Sequence, residues 1–202
     1  MPDNSDIHHR RSIRLQHYDY VSPGGYFVTI CSYERQCMFG EISDSGMQLN
    51  ELGKIVQDEW TRTPTVRSNV ALDEYVIMPN HIHGIILIHA ADENRKGRAH
   101  DGAPVQPVRR KSGSLGSIIA GFKSAATKRI NESRKTPGTP VWHRNYYEHV
   151  IRSEKDLELI REYIVNNPRK WDEDENNPVA ADCVRPICDC AEGGGARQCA
   201  RT

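Results

Sequence analysis

The chain has 202 residues and a formal net charge of zero, because 27 lysines and arginines balance 27 aspartates and glutamates. This length suits one domain with a full core, and a hydrophobic content of 37% is typical of a polar globular protein. The N-terminal region is polar, and no apolar stretch approaches the ~18 residues that a membrane-spanning helix needs. We therefore expect no secretory signal, no membrane partner and a cytoplasmic location.

The N-terminal half predicts a basic arm followed by a mixed α/β pattern. Residues 1–20 form the arm, which carries Arg10, Arg11 and Arg14. The β-branched and aromatic residues 26–32 predict a strand, and residues 38–49 predict a hairpin. Asn50 is a suitable N-cap for a helix whose apolar stripe ends before Pro64.

The next apolar stretch contains two histidines separated by one residue. Residues 70–78 predict a strand, and the stretch from Tyr75 to His89 is typical of a strand buried on both faces. On a strand, His81 and His83 point to the same face, so they form half of a metal site. Pro79 and Asn80 predict a turn or bulge that directs both imidazoles towards a rim of the sheet. The pair is equally compatible with ordinary core or surface histidines.

A basic segment follows. Residues 91–135 carry eleven lysines and arginines against four acidic residues, a net charge of +7. Residues 90–113 predict a long flexible loop with a basic cluster at Arg109, Arg110 and Lys111. Because phosphate groups respond to the local field, this segment predicts nucleic-acid binding, with a merely solvated loop and helix face as the alternative.

The C-terminal half predicts two helices with a strand between them. The first helix spans 114–131 and presents Lys123, Lys128 and Arg129 outwards, the strand spans 141–151, and the second helix starts at a Ser153 cap. From Trp171 the chain predicts a segment with little packing, and residues 179–202 predict a reduced, disordered tail with four cysteines whose spacing does not match zinc sites. The order of elements predicts an α+β fold, an antiparallel sheet with helices packed mainly on one face.

The last helix carries a tyrosine one turn before an asparagine. Tyr163 and Asn167 lie four residues apart, and Pro168 ends the helix there. This arrangement brings a nucleophile beside a neutral oxygen ligand, with Asn166 as a less well placed alternative. A core tyrosine followed by a C-capping asparagine is the simpler interpretation of the same pattern.

Four motifs together resemble the REP-associated tyrosine transposases, a single-tyrosine group of the HUH endonuclease superfamily. They are Tyr75-Val76-Ile77-Met78-Pro79-Asn80-His81-Ile82-His83-Gly84, Phe122-Lys123-Ser124, Trp142-His143-Arg144-Asn145-Tyr146-Tyr147-Glu148-His149 and Arg161-Glu162-Tyr163-Ile164-Val165-Asn166-Asn167-Pro168. They cover residues 10–178 in the family's order. The basic loop and the cysteine-rich tail are outside the resemblance.

The resemblance implies a ferredoxin-like domain over residues 21–178. It also implies Mg²⁺ or Mn²⁺ as cofactor, with His81, His83 and Asn167 as metal ligands and Tyr163 as the nucleophile. The implied activity is cleavage and rejoining of single-stranded DNA near a REP-like hairpin through a 5′-phosphotyrosine, by a nucleoid-associated monomer or homodimer.

Cationic and aromatic side chains suited to DNA contacts are Arg10, Arg11, Arg14, Arg109, Arg110, Lys111, Lys123, Trp142, Arg144, Tyr146 and Tyr147. One alternative is a protein of the same fold that binds DNA hairpins without cutting them. Another is a metal enzyme of the cupin type, which also uses His-x-His on a strand but needs a downstream glutamate and many further strands.

Overall fold

The computed structural model describes residues 19–44, 46–90, 113–174 and 176–178. The strands are β1 (Gly24–Cys31), β2 (Gly40–Ser43), β3 (Gly46–Leu49), β4 (Val70–Ile77), β5 (His81–Ile88) and β6 (Tyr147–Ile151). The helices are α1 (Glu51–Thr61), the single turn α2 (Thr63–Val66), α3 (Leu115–Arg134) and α4 (Glu154–Asn166). Short 3₁₀ segments follow β1 and α4, at Tyr33–Arg35 and Asn167–Glu173.

Four strands form the main sheet in the order β4-β5-β1-β6, and every neighbouring pair is antiparallel. Along the chain, β1, α1, β4, β5, α3 and β6 make the βαββαβ unit of ferredoxin-like folds. The β2–β3 hairpin is inserted before α1, and α4 is added after β6. The predicted α+β class is therefore confirmed, and a four-stranded sheet covered by helices does not fit the cupin alternative.

The histidine stretch is two strands and not one. Met78 N donates to His81 O at 2.8 Å across a tight turn at Pro79 and Asn80, so β4 and β5 form a hairpin. The interpretation of Tyr75 to His89 as a continuous strand is wrong because the proline and its neighbour reverse the chain. The reversal puts His81 at the first position of a central strand.

One face of the sheet packs against α1 and α3. Trp60 of α1 meets Phe122 of α3 edge-on, with ring centroids 5.2 Å apart. A Cβ at Gly84 would lie 2.4 Å from the Trp60 ring, so this position of β5 requires glycine. The same face holds the main core, to which β1 contributes Tyr26, Val28 and Ile30.

Arg129 joins α1 to α3, because its guanidinium donates to Glu59 at 2.8 Å and to Asp58 at 3.1 Å. Arg129, which the sequence places among the outward-facing cations of α3, thus forms ion pairs with α1 while its side chain stays 39% exposed.

The other face of the sheet packs against α4. Ile164 of α4 lies in a smaller cluster with Phe27 and Ile85. The helix begins at Ser153, whose side chain accepts a hydrogen bond from Asp156 N, as the sequence predicts. Consecutive residues of a strand point to opposite faces, so Phe27 and Ile85 share the α4 face with both histidines.

Two boundaries differ from the sequence expectations. The strand predicted over 141–151 is regular only from Tyr147, and Trp142 makes an isolated bridge to Ser32. The segment from Trp171 packs closely instead of forming a loose end, since Asn176 and Asn177 are 7% and 5% exposed. The basic arm up to residue 18, most of the 90–113 loop and the tail after residue 178 lie outside the described residues.

Candidate metal and tyrosine site

His81 and His83 are buried beneath α4 and the segment that follows it. Their exposed fractions are 0% and 2%, so the expectation of imidazoles at an open rim is wrong. The cause is the chain after α4, which folds back over the sheet and brings the Trp171 ring within 6.1 Å of the His81 ring. Burial lowers the pKa of each imidazole from 6.5 to about 3, so both are neutral at physiological pH.

Asn80 fixes the tautomer of His81. Both amide hydrogens of Asn80 are used, since its Nδ2 donates to Arg35 O at 2.9 Å and to Asn176 O at 2.7 Å. Its Oδ1 therefore faces His81 Nδ1 at 2.8 Å and accepts a hydrogen bond from the Nδ1–H group. A proton on Nδ1 leaves a lone pair on Nε2, which is the form of imidazole that binds metals.

Thr29 orients His83 in the same way from β1. Its hydroxyl lies 2.8 Å from His83 Nδ1, and this group can donate or accept according to the tautomer. The two Nε2 atoms are 2.9 Å apart. When the His83 proton lies on Nδ1, two lone pairs face each other, and this arrangement needs a cation between them.

Asp174 is a site residue that the sequence analysis missed. Its Oδ2 lies 3.8 Å from His81 Nε2, and its side chain is 4% exposed. Its Oδ1 accepts a hydrogen bond from Asn176 N at 2.7 Å, which fixes the carboxylate. His81, His83 and Asp174 each offer one possible ligand atom, and these three atoms lie within 4.8 Å of one another. The sequence signal for this ligand is the run of acidic residues directly after Trp171, a segment for which the sequence predicts little packing.

Tyr163 lies at the open side of this cluster. Its hydroxyl oxygen is 3.3 Å from His83 Nε2, and its side chain is 45% exposed. The rings of Phe27 and His83 hold the phenol ring in edge contacts, with centroids 5.9 and 5.2 Å away. The structure thus brings the predicted nucleophile beside the predicted histidine pair from an element 80 residues further along the chain.

Asn167 and Asn166 behave differently, although they are adjacent. Asn167 is 3% exposed, and its Oδ1 has no hydrogen-bond partner among the described residues. Asn166 is partly exposed, and its Nδ2 donates to Glu162 O at 2.9 Å within its own helix. Of the two, Asn167 is the one that keeps an oxygen available for a ligand.

These groups fit a divalent cation. One Nε2 of each histidine and the fixed Asp174 carboxylate lie close together, and Asn167, one helical turn after Tyr163, adds an unpaired amide oxygen, so these residues offer a mixed nitrogen and oxygen donor set. Such sets suit Mn²⁺ and related ions, whereas Mg²⁺ prefers oxygen alone.

The proposed DNA-contacting side chains that are described lie at the β6 edge. Tyr147 is 49% exposed, and its ring meets the Phe27 ring edge-on at 6.4 Å, so it lies close to Tyr163. Arg144 is exposed, whereas Trp142 is only 8% exposed and belongs to the core. The Lys123 ammonium lies over the Tyr146 ring, 5.7 Å from its centre. Arg10, Arg11, Arg14, Arg109, Arg110 and Lys111 lie outside the described residues.

Comparison with known proteins identifies one close relative and a shared fold. Over 178 residues, 85% of its length, the chain is 46% identical to an uncharacterized protein of Haemophilus influenzae, of which it covers 95%. No family model matches the chain. A solved REP-associated tyrosine transposase bound to a REP hairpin has the same fold, with a TM-score of 0.52 and 17% identity over 78% of this chain and 73% of that one. A putative transposase from Deinococcus radiodurans aligns with a TM-score of 0.41 and 16% identity over 76% and 95% of the two chains.

In the part of the chain that is described, no helix is long and apolar enough to cross a membrane.

Proposed function

Because the chain belongs to the same family as the Haemophilus influenzae protein and shares the fold of a hairpin-bound transposase, we propose that it is a DNA-cleaving and rejoining enzyme with Tyr163 as nucleophile. The observation that carries this proposal is the 3.3 Å approach of the Tyr163 hydroxyl to His83 Nε2 in a buried histidine pair. The substrate is single-stranded DNA beside a hairpin, and the enzyme acts on the chromosome in the cytoplasm.

The reaction is a phosphoryl transfer that conserves the number of ester bonds. The Tyr163 oxygen attacks the phosphorus, the tyrosine ester forms as the P–O3′ bond breaks, and the departing 3′-oxygen takes up a proton in place of the one that the phenol loses. The products are a 5′-phosphotyrosine and a free 3′-hydroxyl, so rejoining needs no ATP. The edge contacts of Phe27 and His83 hold the phenol in one orientation, which lowers the entropic cost of attack.

His81, His83 and an oxygen from Asp174 or Asn167 would hold Mn²⁺ or Mg²⁺. A divalent cation at this position supplies positive charge that polarises the scissile phosphate and stabilises the leaving oxygen. Asn80 keeps the His81 imidazole in the required tautomer, and the Thr29 hydroxyl holds the His83 ring in position in either tautomer.

Exposed aromatic rings support a single-stranded substrate. Tyr163 and Tyr147 are 45% and 49% exposed on the same side of the sheet, where unstacked bases can lie against them. The division of the chain stays a prediction, with a catalytic domain over 21–178, a basic arm over 1–20 and a basic loop over 90–113. The arm and the loop would contact the DNA backbone.

The test is a cleavage assay on a hairpin with single-stranded flanks, labelled at its 3′ end. With Mn²⁺, we expect a labelled covalent adduct on a denaturing gel, because the downstream fragment stays attached through its 5′-phosphate. The same oligonucleotide with a 5′ label should give only a free, shorter product. Tight binding of the hairpin without any adduct would contradict the proposal and support the non-cleaving alternative.

The third metal ligand can be identified with two matched pairs of variants. If the Asp174 carboxylate binds the ion, Asp174→Asn weakens Mn²⁺ binding at least ~10-fold, whereas Asp172→Asn, at an exposed neighbour, does not. If Asn167 binds it, Asn167→Ala has this effect and Asn166→Ala does not. Because Asn167 is 3% exposed, the melting temperature of Asn167→Ala without metal is measured as well, so that a loss of affinity is distinguished from a loss of stability. Calorimetric titration with Mn²⁺ measures both effects, and unchanged affinity in both variants would mean that water completes the site.

A further inference from the structure

A cavity of about 800 Å³ lies on the other side of the sheet edge from the histidine pair. Its walls are the C-terminal half of α3 and the segment 137–144, which leads to β6. Pro140, Val141 and Trp142 give it an apolar wall. A cavity of this volume with an apolar wall is suited to an organic ligand or a nucleobase.

The rim of this cavity is basic. Lys128 and Lys135 on α3 and Arg144 on the facing segment are exposed, and Glu132 is the one acidic residue among those that line the cavity. Lys128 pairs with Glu132 at 3.9 Å, and both side chains are mostly exposed, so water screens this pair. The excess of positive charge around an apolar wall complements a base with its attached phosphates.

Two of the residues that line the cavity each carry a buried polar atom without a hydrogen-bond partner in the described part of the chain. Asn131 and Trp142 are each 8% exposed, and Asn131 Oδ1 and Trp142 Nε1 have no hydrogen-bond partner among the described residues. The Nδ2 of Asn131 donates to Thr139 O at 2.9 Å, which fixes the direction of the free oxygen. An unpaired buried acceptor and an unpaired buried donor are unfavourable, so a small shift of either side chain that opens it to a ligand in the cavity would be favourable.

A continuous segment connects the cavity with the proposed catalytic tyrosine. Lys123 donates to His143 O at 2.9 Å and to Asn145 O at 3.0 Å, and its ammonium lies 5.7 Å from the centre of the Tyr146 ring. Tyr146 packs against the core on the α3 side. The next residue, Tyr147, begins β6 opposite Thr29 and lies on the side of the histidine pair. The side chains of these two consecutive tyrosines therefore lie on opposite faces of the sheet at its β6 edge.

We propose that this cavity binds one unpaired nucleotide of the DNA strand, at a subsite separate from the cleavage site. The base lies against Val141 and Trp142, and its flanking phosphates meet Lys128 and Arg144. The DNA strand then passes over the β6 edge of the sheet, across Tyr147, to Tyr163. This inference rests on the proposed function, because it supplies the DNA-binding site for the same single-stranded substrate.

The test fills the cavity without changing its charge. Ser124 is exposed on α3 and lines the cavity, so Ser124→Trp blocks it and leaves the core intact. Ser133→Trp, at an exposed position of the same helix outside the cavity, is the matched control. We expect Ser124→Trp to weaken binding of a hairpin with single-stranded flanks about 10-fold, the size of one lost base contact, and Ser133→Trp to bind like wild type.

A series of the same oligonucleotide with one abasic site at successive flank positions locates the base. One position should weaken binding to wild type and Ser133→Trp but not to Ser124→Trp, because that variant has already lost the contact. Arg144→Gln should also reduce the slope of log affinity against log salt by about 0.7, the value for one phosphate contact on a single strand.

The outcomes separate this inference from the proposed function. If wild type forms adducts and Ser124→Trp binds every abasic oligonucleotide as wild type does, the nucleotide subsite is refuted while the cleavage activity stands. If wild type binds DNA with the expected abasic pattern but never forms an adduct, the subsite stands and the catalytic proposal fails.

Discussion

Tyr163→Phe should bind the hairpin substrate about as tightly as wild type and form no covalent adduct. The substitution removes one oxygen and keeps the ring, so the edge contacts with Phe27 and His83 remain. The lost hydroxyl makes a 3.3 Å contact at a side chain that is 45% exposed, so we expect the free energy of unfolding to change by less than about 1 kcal/mol. Without the phenol oxygen there is no nucleophile in position, and a water molecule does not replace it in a site arranged for a side chain.

Tyr147→Phe is the matched control, because Tyr147 is similarly exposed and also contacts Phe27 edge-on. It should form the adduct at a rate close to that of wild type, since no described contact joins its hydroxyl to either histidine. The measurement is the adduct band with a 3′-labelled hairpin, together with a binding isotherm for each variant. An adduct that persists in Tyr163→Phe and disappears in Tyr147→Phe would show that the nucleophile lies on β6 and not on α4.

Much of the fold could be predicted because its signals are local. Asn50 and Ser153 each accept a backbone N–H in the first turn of the helix that they were predicted to cap. The amphipathic helices and the β-branched strands likewise follow from short-range periodicity. The hairpin at Pro79 and Asn80 was only partly predicted, because the apolar residues of β4 and β5 make one nearly continuous run in the sequence.

The burial of the site could not be predicted, because it depends on contacts between distant parts of the chain. Asn176 contributes its carbonyl oxygen to Asn80, 96 residues away, and Asp174 lies against His81. The segment that contains Asp174 and Asn176 is short, polar and without periodicity, so nothing local indicates that it packs over a sheet. The role of Thr29 was also hidden, because strand register makes it the partner of His83 across 54 residues. Asn80 adjoins His81, but contacts with Arg35 and Asn176, which lie far away in the sequence, orient its amide.

Mn²⁺ should stabilise the wild-type protein, and substitution of His83 should abolish this effect. A ligand that binds only the folded state raises the free energy of unfolding by about 2.7 kcal/mol at a concentration 100 times its dissociation constant, which corresponds to roughly 5–10 °C in melting temperature. His83→Gln removes one Nε2 from the pair and retains a polar side chain near Thr29. We expect this variant to melt at the same temperature with and without Mn²⁺, and its rate of adduct formation to fall about 1,000-fold or more.

His83→Gln is preferable to His81→Ala, although both remove an imidazole. His81 is fully buried and donates to Asn80, so alanine leaves a cavity and an unpaired Asn80 oxygen, and the loss of stability would obscure the metal effect. His149→Gln is the control, because the His149 side chain is 44% exposed, pairs with Asp156 and makes no described contact with either site histidine. It should keep both the shift in melting temperature and the activity. The metal assignment is refuted if chelator-treated wild type forms adducts at full rate and its melting temperature does not change with Mn²⁺. The two buried imidazoles would then be packing residues beside a tyrosine that acts without a cation.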